Sequence, residues 1–353
     1  MDIERKIEVF GKLGDIISRV AVEENFDLLQ YEGWDAGAFQ AAVDNAVNAN
    51  AWFTPESIFR SLYILGVSMM KSDLQAWARM YDLGSNKEAG TIAVVMAGNI
   101  PAVGFHDFLS VLMSGNKILA KLSSDDKYLI PGLADLLITE EPEFSDLISF
   151  TEETIQDFDA VIATGSNNTS RYFKHYFGKY PHIIRNNRNG LAVLTGIEDD
   201  ESLNSLGDDI FLYYGLGCRN VSKLFVPKDY NFDPFFKSIE SFTSVGDHHK
   251  YRNNYDYNKS IYLVNGIHHF DNGFLLLREE ASMASPVSVL HFEYYENIEE
   301  LNRFISGESE NIQCIISADP KVSRAIPPGT GQYPKLWDYA DGVDTMEFLM
   351  SLQ

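Results

Sequence analysis

Sulfur, positive charge and long apolar runs are all scarce in this chain, and each scarcity excludes something. Cys218 and Cys314 are the two cysteines in 353 residues, too few for a disulfide scaffold although one bridge stays open, and they fit a reducing compartment. Lysine and arginine number 28 against 51 aspartates and glutamates, a formal charge of −23. General nucleic-acid binding depends on basic surface to displace counterions, so no nucleic-acid partner is expected. No apolar run approaches the roughly 18 to 20 residues that a membrane span needs. The charged start MDIERK is not followed by a signal-peptide core, and a cytoplasmic location is expected. The sequence also lacks internal repeats, low-complexity linkers and a GxGxxG after its first β-like run.

What is present describes an ordinary globular protein, 45% hydrophobic and 22% charged. Acid is unevenly spread: from Ala160 to Ile197 there is no Asp or Glu, while Arg171, Lys174, Lys179, Arg185 and Arg188 all fall there. A basic island in an acidic chain suits phosphates. Scattered cations on solvated helix faces would give the same pattern.

Ile7, Phe10, Leu13, Ile16, Ile17 and Val20 recur with helical spacing, 36–47 is a second helix, and Thr54 with Pro55 caps a third. From Gly90 the pattern alternates. Strands are expected over 91–96, 117–122, 160–163 and 191–194, with helices over 101–113, 127–137 and 168–177. Such alternation implies crossover units on a largely parallel sheet. A second α/β section follows Gly196, with strands over 222–226, 260–264, 287–292 and 312–316 and helices over 233–242 and 298–305. The expected organisation is an N-terminal helical segment (1–89), a cofactor-binding α/β domain (90–196), a catalytic α/β domain (197–330) and a C-terminal tail (331–353) that packs back or mediates oligomerisation.

The stretch Tyr213-Tyr214-Gly215-Leu216-Gly217-Cys218-Arg219 offers a thiol a route to becoming a nucleophile. Thiolates form more easily opposite cations or the N–H groups of a helix start, and Arg219 and Lys223 are close in sequence. Cys314 alternates with Ile312 and Ile316 and reads as a structural residue on a strand face. Gly98-Asn99-Ile100-Pro101 and Gly165-Ser166 fall where strand ends give way to helix starts, the usual edge for ligands in open α/β sheets. His248-His249 and His268-His269 lack Cys or carboxylate partners at ligand spacing, and no metal is expected.

These segments resemble, in order, those of the aldehyde dehydrogenase superfamily, and more closely its acyl-CoA reductase branch, which includes the fatty acyl-CoA reductases of bacterial bioluminescence. The resemblance runs from about Gly90 to the C-terminus and implies two open α/β domains. Asn99 matches the asparagine whose amide donates to the oxyanion. NKILAKLS, ending in Lys121, Leu122 and Ser123, matches the strand whose lysine holds the adenosine ribose. Gly165 and Ser166 match the pair that receives the pyrophosphate. Cys218 matches the catalytic cysteine, 119 residues after Asn99. Ser285-Pro286-Val287 resembles the relatives' glycine-proline-valine segment.

Three departures from the family carry chemistry. The glutamate that activates hydrolytic water in aldehyde dehydrogenases falls on Ile184, which cannot act as a base, so transfer to or from coenzyme A is implied in place of hydrolysis. Ser124 stands where NAD-preferring relatives often place a glutamate, which permits the 2′-phosphate of NADPH. The glutamate that grips the nicotinamide ribose aligns with Ser282, leaving Glu279 or Glu280 as replacements. The resemblance therefore implies NADPH-dependent reduction of an acyl-CoA, a fatty one being expected, through Cys218 and Asn99, with Lys121, Ser123, Ser124, Gly165 and Ser166 on the cofactor and coenzyme A as product; the basic island adds Arg171 and Arg188, and the cysteine stretch Arg219, as candidate phosphate or substrate contacts. Oxidation of free aldehyde with NAD(P) and a non-catalytic nucleotide-binding role are the alternatives. A homodimer is expected to use a terminal strand over 344–352, the space between Tyr81 and Gly90 being short for the relatives' dimerisation hairpin.

Overall fold

The six residues expected to line one helix face, Ile7 to Val20, are buried along α1 (Ile3–Glu23), which opens on an Asp2 side chain accepting from the Arg5 N–H. Helices α2 (Ala36–Ala49), α3 (Pro55–Ser68) and α4 (Lys71–Ala78) follow. Thr54 caps α3 by accepting from the Ser57 N–H at 3.2 Å, with Pro55 at the first position, as its sequence requires. The structure, a computed structural model, describes residues 1–83 and 89–352. Most of the stretch between Tyr81 and Gly90, considered above for a hairpin, therefore lies outside the described residues.

The chain divides into two compact units, residues 1–186 with 334–353, and residues 187–333. In the first, β1 (Thr91–Val95), α5 (Phe105–Met113), β2 (Lys117–Lys121), α6 (Leu129–Glu140), β3 (Ile148–Thr151), β4 (Ala160–Thr164), α7 (Asn167–Phe177) and β5 (His182–Arg185) alternate. The strands form a parallel sheet in the order β3-β2-β1-β4-β5. Period-two alternation splits each central strand between two layers. Ile92, Val94, Ala160 and Ile162 join a large core with α1, α2, α3, α5 and α6. Ala93, Val161 and Ala163 face a thinner layer with Phe173 and Phe177 of α7. The order reverses between β1 and β4, and the carboxyl ends of strands at such a reversal are where open sheets hold ligands.

The second unit comprises β6 (Asn189–Val193), α8 (Asp200–Phe211), β7 (Val221–Pro227), α9 (Asp233–Ser238), α10 (His249–Val264), β8 (Phe270–Asp271), β9 (Leu276–Glu279), β10 (Val289–Tyr295), α11 (Ile298–Gly307) and β11 (Ile312–Ile316). Its sheet runs β11-β6-β7-β10-β9-β8, parallel except for β8. The final helix, α12 (Thr345–Ser351), returns to the first unit.

Several expectations change. The N-terminal helices are not a separate segment but share one core with the first sheet, because their apolar faces have that sheet's helices to cover. The boundary expected after 196 falls at Asn186. The terminal strand expected over 344–352 is α12: Asp344 caps it by accepting from the Glu347 N–H at 2.8 Å, and Thr345, Met346 and Leu349 form its buried stripe. The tail packs back through Tyr339, whose hydroxyl accepts from Trp77 Nε1 at 2.6 Å, and through Thr345, which accepts from Arg185 at 2.9 Å. Residues 260–264, read as a strand, finish α10, whose buried Tyr251, Tyr255, Asn258 and Tyr262 recur every three or four residues. The pair His248-His249 thus opens a helix.

Candidate active site

At the carboxyl edge of the first sheet the structure brings together the segments singled out for the cofactor and for Asn99. Val95 at the end of β1 pairs with Lys121 at the end of β2 and with Ala163 near the end of β4. Gly98 lets the following loop close onto the β2 side. A Cβ there would sit 2.5 Å from Ser123 Oγ and 2.7 Å from Ser123 Cβ, closer than real contacts allow. Asn99 is exposed on this loop, which turns through a left-handed Ala102 (φ 54°) before α5 begins at Phe105. The helix expected from residue 101 therefore starts four residues later.

Two side chains hold that loop, and both lie outside the sequence reading. Ser61 of α3 donates to the Pro101 carbonyl at 2.7 Å, so an N-terminal helix supports the loop of the candidate oxyanion donor. Asp126, buried, accepts from the Ala102 N–H at 2.7 Å and the Leu129 N–H at 3.3 Å. Burial pushes its carboxyl up to about 6 against those two bonds. The folded state then binds this proton more tightly than the unfolded chain. The group favours folding most below pH ~4, and its contribution falls as pH rises through 6. Wild type minus Asp126→Asn stability, from urea melts at each pH, is expected to drop by ~2 kcal/mol between pH 4 and 7. A difference that stays flat or rises would remove this assignment.

Lys121 donates its ammonium to the Glu153 carbonyl at 2.9 Å, and Ser123 Oγ accepts from the Asp125 N–H at 3.2 Å, leaving Ser124 exposed at the turn. Gly165 and Ser166 follow β4 directly. Ser166 caps α7 by accepting from the Thr169 N–H at 3.2 Å, so the free N–H groups of an eleven-residue helix open beside the β1–β4 reversal. Arg171 is exposed on α7. Arg185, part of the presumed phosphate island, is instead buried and bidentate on Asp107 of α5 at 2.5 and 2.9 Å, so it serves packing. Arg188 belongs to the second unit and donates to the Ser309 carbonyl at 3.2 Å.

Cys218 is exposed in a turn between α8 and β7. The expected helix start does not follow it; a strand does. Tyr213, Tyr214 and Gly215 lead in with three successive left-handed residues (φ 52°, 57° and 77°). Two of these are not glycine, and such backbone costs of order 1–3 kcal/mol per residue, so the surroundings must hold it. They do: buried Asn220 donates its amide to the carbonyls of Asp209 at 3.1 Å and Leu212 at 2.9 Å, while its Oδ1 accepts from the Gly217 N–H at 2.8 Å. The Tyr214 ring lies 4.3 Å from that of His248.

Gly190 of β6 lets the turn settle against the sheet. A Cβ there would meet the Arg219 and Asn220 carbonyls at 2.6 Å, and the β6–β7 register slips at that point. Behind it, Cys314 on β11 is buried, with its thiol pushed up to about 12 and donating to the Arg219 carbonyl at 3.4 Å. Neither cation expected near the nucleophile is directed as foreseen. Lys223 is fully buried on β7, donates to the Glu280 carbonyl and pairs with Glu293 at 2.6 Å. Arg219 donates its Nε to the Gly331 carbonyl. Glu280, a candidate for gripping ribose, accepts from Arg278 at 2.7 Å. Among the described residues no group of three or more His, Cys, Asp or Glu side chains is arranged to hold a metal, and no helix is long and apolar enough to cross a membrane.

Solved structures share this fold. Aldehyde dehydrogenase 21 of Physcomitrella patens, in complex with succinate as reaction product, is 12% identical with a TM-score of 0.58 over 99% of this chain and 88% of that one. An NADP-dependent enzyme of E. coli is 11% identical, TM-score 0.60, over 90% of this chain and 78% of that one. A mutant indole-3-acetaldehyde dehydrogenase of P. syringae, in complex with NAD+ and IAA, is 13% identical, TM-score 0.59, over 92% and 77%. The chain has the aldehyde dehydrogenase fold. Residues 69–235, which include Asn99, Lys121, Gly165, Ser166 and Cys218, match the sequence model of the family described as acyl-CoA reductase (LuxC). Over that stretch, just under half of the chain, the sequence is similar to the acyl-CoA reductase family. No curated protein matches it in sequence.

Proposed function

We propose that the protein reduces an acyl-CoA thioester to the aldehyde with NADPH, passing through an acyl-enzyme on Cys218. The observation that carries the reading is an exposed cysteine on a purpose-built turn inside the acyl-CoA reductase match, in a chain with Ile184 where the family's hydrolytic base would stand. Ile184 lies on β5 and packs into the apolar layer beneath α7.

The Cys218 thiolate adds to the thioester carbonyl, the C–S bond to coenzyme A breaks, and coenzyme A leaves as its thiolate to take a proton from solvent. Splitting the transfer in two is the purpose of the nucleophile. The oxyanion formed at each addition is assigned to the Cys218 N–H and, from the family resemblance, to the Asn99 amide; fixed donors of this kind are worth roughly 3–4 kcal/mol each. A nicotinamide cofactor, when bound, supplies hydride to the acyl carbon. Collapse of the resulting tetrahedral species expels Cys218 as thiolate and releases aldehyde.

The residues at the β1–β4 reversal fit such a dinucleotide: the α7 N-terminus suits an anion, its helix carries Arg171 and Lys174 without an acid, and Ser124 adds no negative charge of its own. Lys121, Ser123 and Ser124 would hold the adenosine end, Gly165 and Ser166 the pyrophosphate. Consumption of NADPH with a panel of acyl-CoAs, with thiol release followed in the same cuvette, is expected to show one thiol freed per cofactor oxidised. NADP-dependent oxidation of free aldehydes without any response to acyl-CoA would replace this reading with a hydrolytic dehydrogenase, and cofactor binding without turnover in either direction would replace it with a non-catalytic one.

A further inference from the structure

The last segment of the second unit, 327–333, is tied to the cysteine turn through one carboxylate. Asp209, in the final turn of α8, is fully buried, and its two oxygens accept from the Gly329 N–H at 2.6 Å and the Gly331 N–H at 2.8 Å. The Gly331 carbonyl takes the guanidinium Nε of Arg219, the residue next to Cys218. The Asp209 carbonyl takes the amide of Asn220, the residue after that. Gly331 has no room for a side chain, since a Cβ would lie 2.6 Å from Asp209 Oδ1. The loop and the turn thus meet on one residue, from which the two residues that follow the nucleophile are held.

We infer that Asp209 is a positioning residue for Cys218: its carboxylate fixes the 329–331 loop that receives Arg219, and the pair Arg219 and Asn220 then holds the turn that presents the thiol. The catalytic consequence rests on the nucleophilic role proposed for Cys218, whereas the coupling of loop to turn does not. The charged and titratable groups acting on Asp209 are Asp208 on its own helix and Arg219 from the turn, and Cys314 on β11 senses its charge. Burial outweighs the two bonds and pushes the carboxyl up to about 6, so its charge changes within an accessible range.

Asp209→Asn keeps the shape, loses the charge and turns one acceptor into a donor facing an N–H. It should therefore resemble protonated wild type at every pH. With acyl-CoA and NADPH, kcat of wild type is expected to exceed that of Asp209→Asn about tenfold at pH 8 and to converge on it by pH 5, with the KM for NADPH unchanged. Asp209→Ala should lose about 100-fold in kcat through misplacement of the nucleophile. Hydrogen exchange by mass spectrometry on the same proteins should quicken in peptides covering both 212–221 and 327–333 while 91–113 keeps its protection. Exchange that rises in 327–333 alone, or evenly everywhere, overturns the coupling, and a kcat ratio independent of pH overturns the positioning role. If wild type does not turn over acyl-CoA, the reaction reading fails and the exchange experiment on Asp209→Asn still decides the coupling.

Discussion

Cys218→Ala is expected to abolish acyl-CoA-dependent NADPH oxidation, with a fall of at least ~10⁴-fold, the scale seen when a covalent nucleophile is removed from an enzyme whose other groups remain. Thiol release should vanish with it, because both half-reactions pass through the same sulfur. Cofactor binding should survive, since Lys121, Gly165 and Ser166 belong to the other compact unit. Cys314 supplies the contrast. Its thiol is buried and pushed up to about 12, so at neutral pH it carries its proton and cannot substitute. Cys314→Ser keeps a donor for the Arg219 carbonyl and should retain most activity. Radiolabelled acyl-CoA trapped without cofactor should mark a peptide containing Cys218 in wild type and nothing in Cys218→Ala. A label on any other residue, or residual turnover above a hundredth of wild type, would show that the thioester forms elsewhere.

What was legible in the sequence is what chain-local geometry enforces. Alternating strands and helices, caps such as Thr54, and short motifs at strand ends all depend on neighbours a few residues away, so the segments around Gly98 and Gly165 could be placed at strand ends without a structure. What supports them could not. Ser61 lies 40 residues from the carbonyl it holds, and Asp209 lies 120 from Gly329. In a string, each is one more serine or aspartate among many. Gly190 reads as an ordinary strand residue until the turn it admits is seen. Helix α10 was misread because the Ser260 to Val264 run is rich in β-branched and aromatic side chains. Its tyrosine period, which decides the matter, begins at Tyr251, outside that run. The cations near Cys218 misled for a related reason. Proximity in sequence says little on a strand, where Lys223 follows its own face to Glu293 on the neighbouring β10.

Asn99→Ala is expected to lower kcat by ~10²–10³-fold while leaving cofactor affinity within about twofold, the cost of removing one fixed donor from a developing oxyanion. Exposure alone would not favour such a role, since a mobile exposed amide stabilises little. The loop around Asn99 is not free to adapt. Gly98 is pressed onto Ser123, the Ala102 N–H is held by buried Asp126, and the Pro101 carbonyl by Ser61. A donor carried on backbone fixed at three points is set before the charge forms, which is what makes its removal costly. Asn99→Gln should fail to rescue, because the extra methylene displaces the amide while the loop cannot retreat. Asn99→Asp should be worse than alanine, since a carboxylate would oppose the oxyanion. Loosening the support, by Ser61→Ala, should give an intermediate loss with an unchanged KM for NADPH. If Asn99→Ala reduces kcat less than threefold, or if Gln restores it, the amide is not the oxyanion donor and the Cys218 N–H must act with another partner.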